Sequence, residues 1–539
     1  MKKRLTDHDA PTLGEKPAVA AGFSPHGRAD LFPIAIAAIA GGLLSAIGLG
    51  TRSLWLDEGS TFAIASQHGS ALWHAVEHDG GNMIAYYLLM HVVIAWFGHA
   101  VWVLRLPSVV ANAVTGGLVA AIAVRLFADR RLAAAAGLLT VISLPLVFWG
   151  QDARGYALLV TLSVGSFLAL VAILQTPADR RPSKRAISAY VLTTLAALYV
   201  GYDVALLIPA QLALLLIFRV RARLVVGCLA LVLVLCVPLL VLAAQRGSGQ
   251  LFWVMPISWS IAQQAAVTLL SAGMPPNFHR TATTVATEMV MGVVVVAAIV
   301  LAARATLPAG RRLRSGPLLL VLSWAVVPSV LAVVLYAVGE PIELPRITIL
   351  VMPALALLLA WMLLQAGLAP SLGLWLCAAL LVLRLAQLLP SYGVSSEPWN
   401  EVTAYVVAAT SAAQPACVAF YPQDGREPFD YYLRELGQPR GNPAPSLRPI
   451  LPSVGWTRVR PFIEAYGTVD AGQRARIARE CPRLWLIGTH EGQAHGTAQS
   501  RTNLTRYRQL ERGFAQLYPN SALRTFGWAS PIHATLYSR

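Results

Sequence analysis

The stretch SLWLDEGST at 53–61 sets two adjacent carboxylates, Asp57 and Glu58, between aliphatic and aromatic neighbours, just after a long uncharged run. Trp55 and Leu56 keep such a pair partly out of water, and a partly desolvated carboxylate is raised towards the pKa that a general base needs. A solvated cap at a membrane boundary is the plainer role. A second cluster, FWGQDARGYALL at 148–159, offers Asp152, Arg154 and Tyr156. Asp152 and Arg154 can pair with each other at a helix start, or the arginine can meet a lipid phosphate. In a third, GEPIELPRITILVMPAL at 339–355, Arg346 opens an apolar run just after Glu340 and Glu343. It either snorkels to the interface or holds a phosphate at the membrane surface. Arg105 in VLRLPS suits an interfacial anchor or the same phosphate. Tyr86, Tyr87 and His91 form an aromatic stripe suited to packing, and Asp203 in YVGYDVALL is a lone acid for which capping and function are both open.

What must position these residues is a membrane domain. The 539-residue chain is 56% hydrophobic and only 13% charged, with a mean hydropathy of +0.60, outside the range of soluble globular proteins. The net charge of +16 forms no stripe and no reading motif, which excludes nucleic acid as a partner; the basic residues sit in short clusters between apolar runs. A spanning helix needs about twenty mostly apolar residues. Runs at 31–50, 102–126, 131–149, 155–175, 186–200, 203–219, 224–243, 285–304, 317–339, 347–366 and 371–390 qualify, eleven in all. The fold class expected is therefore a polytopic α-helical membrane protein with eleven transmembrane helices.

Lys and Arg accumulate in cytoplasmic loops. With residues 1–30 as a cytoplasmic tail and the first run as an uncleaved signal anchor, the inside segments hold KKR at 2–4, Arg125 with Arg130 and Arg131, DRRPSKR at 179–185, RVRAR at 219–223 and RRLR at 311–314. Arg52, Arg105, Arg154, Arg246, Arg280 and Arg346 are scattered outside. That alternation predicts a multi-pass plasma-membrane protein with SLWLDEGST on the outer face. Counting YYLLMHVVIAWF at 86–97 as a span would invert every later loop, so the first outer loop, 51–101, is expected to carry helices lying along the interface. The outer loop 244–284 is expected to contribute a similar structure.

After Pro390 the chain turns polar. Residues 391–539 alternate short β-like runs, ACVAFY at 416–421 and RLWLIG at 483–488, with helical stretches. A chain of about 150 residues can bury its own core, so this segment reads as an extracytoplasmic α/β domain. There Cys417 and Cys481 meet oxidising conditions that permit a disulfide, while Cys228, Cys236 and Cys377 lie in apolar runs as small buried hydrophobes.

Two acidic centres and several arginines thus converge on one membrane face, as a phosphate-bearing lipid substrate requires. The order of signals, LWLDE, then YYLL and LRLPS, then QDARGY, then an outward PR before an apolar run, resembles the integral-membrane glycosyltransferases of the GT-C fold. More closely it resembles their protein O-mannosyltransferase and aminoarabinose transferase branch, over roughly residues 30–390. The resemblance implies a polyprenyl-phosphate sugar donor, Asp57 as the catalytic acid motif with Glu58 as its neighbour, and QDAR at 151–154 in place of Q-E-A-R. It also implies Arg346 as a phosphate-binding residue, with Arg154 and Arg105 beside it. Tyr86, Tyr156, Asp152 and Asp203 would support the site or face the acceptor. A divalent cation held through water is one role open to Glu58 and Asp152. The chain departs from the pattern at Gly81, Asn82 and Met83, where His-Pro-Pro is common, and at Gly201, near a common His. Mannose is the sugar the resemblance favours, with an arabinose-type pentose as the alternative. A cell-envelope lipoglycan such as lipoarabinomannan, or a protein, is the expected acceptor. A lipid-linked-sugar transporter or flippase is the competing class, but its ionisable groups would gather near the bilayer midplane.

Overall fold

The computed structural model describes residues 31–539 except 178, 219–220, 247–253, 255–257, 260, 264–281, 307–315, 341–343, 366–367, 412, 437–446, 454–467 and 529. The expected tail at 1–30 and most of the outer loop 244–284 lie outside these residues. The apolar runs form helices: α1 (Leu31–Ala46), α5 (Val101–Phe127), α6 (Arg130–Val141), α7 (Leu144–Gly150), α8 (Tyr156–Leu174), α9 (Lys184–Val200), α10 (Leu207–Phe218), α11 (Ala222–Leu235), α12 (Val237–Arg246), α13 (Ala282–Thr306), α14 (Gly316–Ala337), α15 (Leu344–Leu364) and α16 (Pro370–Leu388). Between α1 and α5 the segment expected to be the first outer loop folds into three short helices, α2 (Leu56–Ala65), α3 (Ser70–His78) and α4 (Ile84–Phe97). Helix α4 leaves Trp96 and Phe97 exposed, in keeping with an interfacial helix.

Two expected spans are not straight helices. The run 131–149 breaks at Ile142–Ser143 into α6 and α7, which meet at 62°, and α11 and α12 meet at 49°. Pro145 and Pro238 fall in the first turns of α7 and α12, where a residue without an N–H starts a new helix rather than continuing the old one. The run 203–219 likewise opens on a 3-10 turn, Tyr202–Leu206, before α10. Among the described residues, four helices are long and apolar enough to cross a membrane, and six if each bent pair is one span; α1, α10 and α15 contribute shorter apolar segments.

Helix α1 buries Pro33, Ala37, Gly41 and Ser45, spaced four apart on one face. A Cβ on Gly41 would come 2.9 Å from the Asn112 carbonyl oxygen, and one on Gly116 would come 2.7 Å from that of Ala37. Small residues on both helices bring the backbones of α1 and α5 into contact, the usual way lipid-embedded helices associate. The consequence is local: the loop leaving α1 at Gly48 falls directly over the start of α5, where Arg105 waits. Deeper in the helical region, Arg384 of α16 donates to Gln387 and faces the charge of Glu288 on α13, so that charge is matched between helices.

Five strands follow residue 416: β1 (Ala416–Tyr421), β2 (Leu447–Leu451), β3 (Arg483–Gly488), β4 (Asn520–Phe526) and β5 (Ile532–Ser538), in the order β2-β1-β3-β5-β4. Strands β2, β1 and β3 run parallel; β5 and β4 are antiparallel to their neighbours. Every residue of β1 is buried, as a strand covered on both faces must be. Helices α17 (Trp399–Ala408), α18 (Arg426–Glu435), α19 (Ala471–Glu480) and α20 (Ala498–Ala515) complete this α/β region. Cys417 on β1 is bonded to Cys481 after α19, with Cα atoms 5.8 Å apart, the pairing the sequence permitted. Helix α18 packs on α2, which carries the C-terminal region onto the SLWLDEGST segment.

Candidate active site

Ser53, Leu54 and Trp55 run extended into α2, which places Asp57 and Glu58 in the helix's first turn. There the unpaired N–H groups and the helix dipole favour negative charge. Glu58 turns inward and is fully buried. Its two oxygens receive Nε and Nη2 of Arg105 at 2.7 and 2.6 Å, the Ala153 N–H at 2.8 Å and the Trp55 N–H at 3.3 Å. Burial alone would raise this carboxyl, but Arg105, Asp152 and the Ala153 amide together outweigh it and hold Glu58 below the usual range. The other N–H groups of Arg105 donate to the carbonyls of Leu49, Arg52 and Ser53.

Arg105 therefore departs from the expected donor-phosphate role. All five of its N–H donors are committed within the protein, and it is 1% exposed. A guanidinium at the top of α5, under a loop that presents three carbonyls and a carboxylate, is consumed by them. Glu58 departs in parallel: it clamps the loop rather than facing a substrate.

Asp152 joins the same cluster. Its Oδ1 accepts from Trp55 Nε1 at 2.8 Å, and its other oxygen accepts no hydrogen bond among the described residues. Burial and the Glu58 carboxylate raise Asp152 well above the usual carboxylate range. Tyr156 packs its ring against Trp149, centroids 4.1 Å apart, and Tyr86 is wholly buried; both support the cluster by packing.

Asp57 lies on the other side of α2, with 29% of its side chain exposed and Arg154 Nη2 3.5 Å from its Oδ2. Arg154 reaches it from the QDAR loop and lies within 3.4 and 3.5 Å of the Thr61 and Tyr87 hydroxyls, while its Nε has no hydrogen-bond partner among the described residues. So the acid pair divides: Glu58 inward and saturated, Asp57 outward beside a cation with donor capacity left. Asp203 sits half-buried on the 3-10 turn, whose Tyr202 hydroxyl donates to the Gly80 carbonyl. Arg346 lies at the start of α15, and its side chain is outside the described residues; neither is placed relative to Asp57. Among the described residues no group of three or more His, Cys, Asp or Glu is disposed to hold a metal ion.

The residues missed by sequence reasoning come from the α/β region. Glu397 accepts the Leu56 N–H at 3.1 Å and pairs with His490 Nε2 at 3.0 Å. Tyr432 Oη accepts the Leu54 N–H at 2.6 Å. Asp424 is 4% exposed, and Glu427 is held by Ser60. For Asp424, Glu427 and His490 the signal in the sequence was their place just after predicted strands, in YPQDGREP and GTHEG, where α/β sheets gather ligand groups.

No protein-family model matches the chain, and no curated protein sequence does. Solved structures do: ArnT from Cupriavidus metallidurans bound to undecaprenyl phosphate superposes with a TM-score of 0.50 at 13% identity, over 92% of this chain and 97% of that one. The same protein in the apo state gives 0.50 at 14% identity over the same shares. The likeness spans both the helical region and the C-terminal sheet, and the fold of this chain is the ArnT-like GT-C fold.

Proposed function

We propose that the protein transfers a sugar from a polyprenyl-phosphate donor to a hydroxyl of an extracytoplasmic acceptor, with inversion at the anomeric carbon. The observation that carries this is the division of the acid pair. Asp57 is the carboxylate of the SLWLDEGST loop that still meets solvent, beside Arg154, while Glu58 is spent on holding the loop. The ArnT-like fold, whose solved example binds undecaprenyl phosphate, supports a lipid phosphate as the carrier.

In this reading the acceptor oxygen attacks the anomeric carbon and gives its proton to Asp57. The bond from that carbon to the phosphate oxygen breaks, and its electron pair leaves with the polyprenyl phosphate. Arg154, and Arg346 from the outer start of α15, stabilise the charge that develops on the departing phosphate. The sequence resemblance favours mannose, and the likeness to ArnT supports an arabinose-type pentose equally.

General-base catalysis is typically worth about 10² to 10⁴ in rate. Asp57→Asn is expected to lower turnover by that factor while the protein still elutes as a folded species. Membranes carrying wild type or the variant, given radiolabelled undecaprenyl-phosphate mannose or arabinose, would read this directly. Transfer by the variant near the wild-type rate would remove Asp57 from the role.

A further inference from the structure

Outside the Glu58 cluster, Asp424 is a buried acid that the mechanism does not use. It sits in the turn that follows β1, and His490 sits in the loop that follows β3; these strands are parallel neighbours, with Tyr421 opposite Gly488. The Thr489 N–H donates to the Tyr421 carbonyl at 3.0 Å, so the two loops leave the sheet side by side. The crevice outside the carboxyl ends of parallel strands is where α/β sheets bind ligands. Here that crevice faces α2. Asp424 and His490 both lie within reach of the charge of Asp57, and Glu397 joins His490 to the backbone of Leu56, one residue before Asp57.

Neither carboxylate oxygen of Asp424 accepts a hydrogen bond from another residue among the described residues. A carboxylate so deeply buried and so poorly matched destabilises the fold, and burial pushes it up to about 7. Protein groups of this kind are retained where a ligand completes them. The ligand wanted is a hydrogen-bond donor, since the nearest facing groups, Asp57, Glu427 and Glu397, are acids and His490 is occupied by Glu397.

We propose that Asp424, at the joined carboxyl ends of β1 and β3, is the acceptor-binding residue of the active site and takes hydroxyls of a glycan acceptor opposite Asp57. Two unpartnered, buried oxygens on Asp424, with Asp57 close by, match several hydroxyls on one molecule. A sugar offers them on adjacent carbons, whereas a serine or threonine side chain offers one. His490 and Glu397 act as positioning residues that lock this crevice to the catalytic turn. The assignment rests on the glycosyl-transfer reading above and adds the half of the site that the C-terminal region supplies.

The test uses full-length protein in membranes of deletion cells complemented with wild type or Asp424→Asn, given undecaprenyl-phosphate [14C]mannose or [14C]arabinose. Two products are counted: sugar transferred to the endogenous acceptor and free sugar released by water. The variant is expected to lose tenfold or more of transfer while release to water falls less than threefold, and to melt at the same temperature or higher. Equal loss of both products, or of neither, would overturn the assignment, as would a melting temperature lowered by the substitution. Labelled product that is degraded by protease would overturn the glycan acceptor. If wild type converts neither donor beyond the deletion membranes, the glycosyl-transfer reading itself falls.

Discussion

At the scale of single residues, the chain separates two carboxylates that are adjacent in sequence by giving them different partners. Glu58 is wholly buried against Arg105, and removing one member of a buried pair leaves the other charged and unmatched, at a cost of about 3–5 kcal/mol. Glu58→Gln is therefore expected to lower the melting temperature markedly, while replacing both Glu58 and Arg105 by methionine recovers most of the loss, because buried pairs often break even with apolar substitutes. The pH dependence follows from the depressed Glu58 carboxyl. A group whose pKa is lowered on folding contributes stability that is present above its ordinary value of 4.5 and lost as pH falls through the folded value. The gap between wild type and Glu58→Gln should thus be constant from pH 8 to 5 and close only in stronger acid. A gap that widens with acid would contradict the pairing.

At the scale of elements, α2 works because α18 lies across it. A Cβ on Gly59 would come 2.8 Å from Pro428 Cδ and 2.9 Å from its backbone nitrogen, and backbone at that range cannot step aside as a flexible side chain can. Gly59→Ala is expected to cost about 1–3 kcal/mol as an overpacked contact and to lower transfer, because it pushes α18 away from Asp57. Thermal unfolding beside an activity assay checks this, and a neutral substitution would deny the close approach. The apolar runs were legible as helices because twenty uncharged residues admit little else. The breaks inside two runs were not, since Pro145 and Pro238 read as well inside a kinked span as at the start of a new helix. Of the candidate site, Asp57 and Arg154 stand out in the sequence because each lies within one short segment. Arg105 misled because its partner carbonyls come from a loop that only the packing of α1 on α5 brings near, and Asp424 and His490 reach α2 across more than three hundred residues of chain.

At the scale of the whole molecule, orientation and oxidation state are one question. An odd number of spans after an inside N-terminus, as expected from the charge alternation, would send the α/β region outside, where a Cys417–Cys481 bond persists. The bond closes a loop of sequence separation 64, for which the chain-entropy argument gives about 4 kcal/mol of stabilisation. The three remaining cysteines, Cys228, Cys236 and Cys377, are buried in the apolar region. In intact cells a membrane-impermeant maleimide is therefore expected to leave the protein unlabelled until an impermeant reductant is added, and then to label two cysteines that Cys417→Ser and Cys481→Ser remove. The same reductant should lower the melting temperature of the purified protein. Labelling without reductant would deny the bond. Labelling that requires the membrane to be permeabilised would place the α/β region inside, together with Asp57 and Asp424, and a donor delivered on the outer leaflet would then have no route to the carboxylates that are proposed to use it.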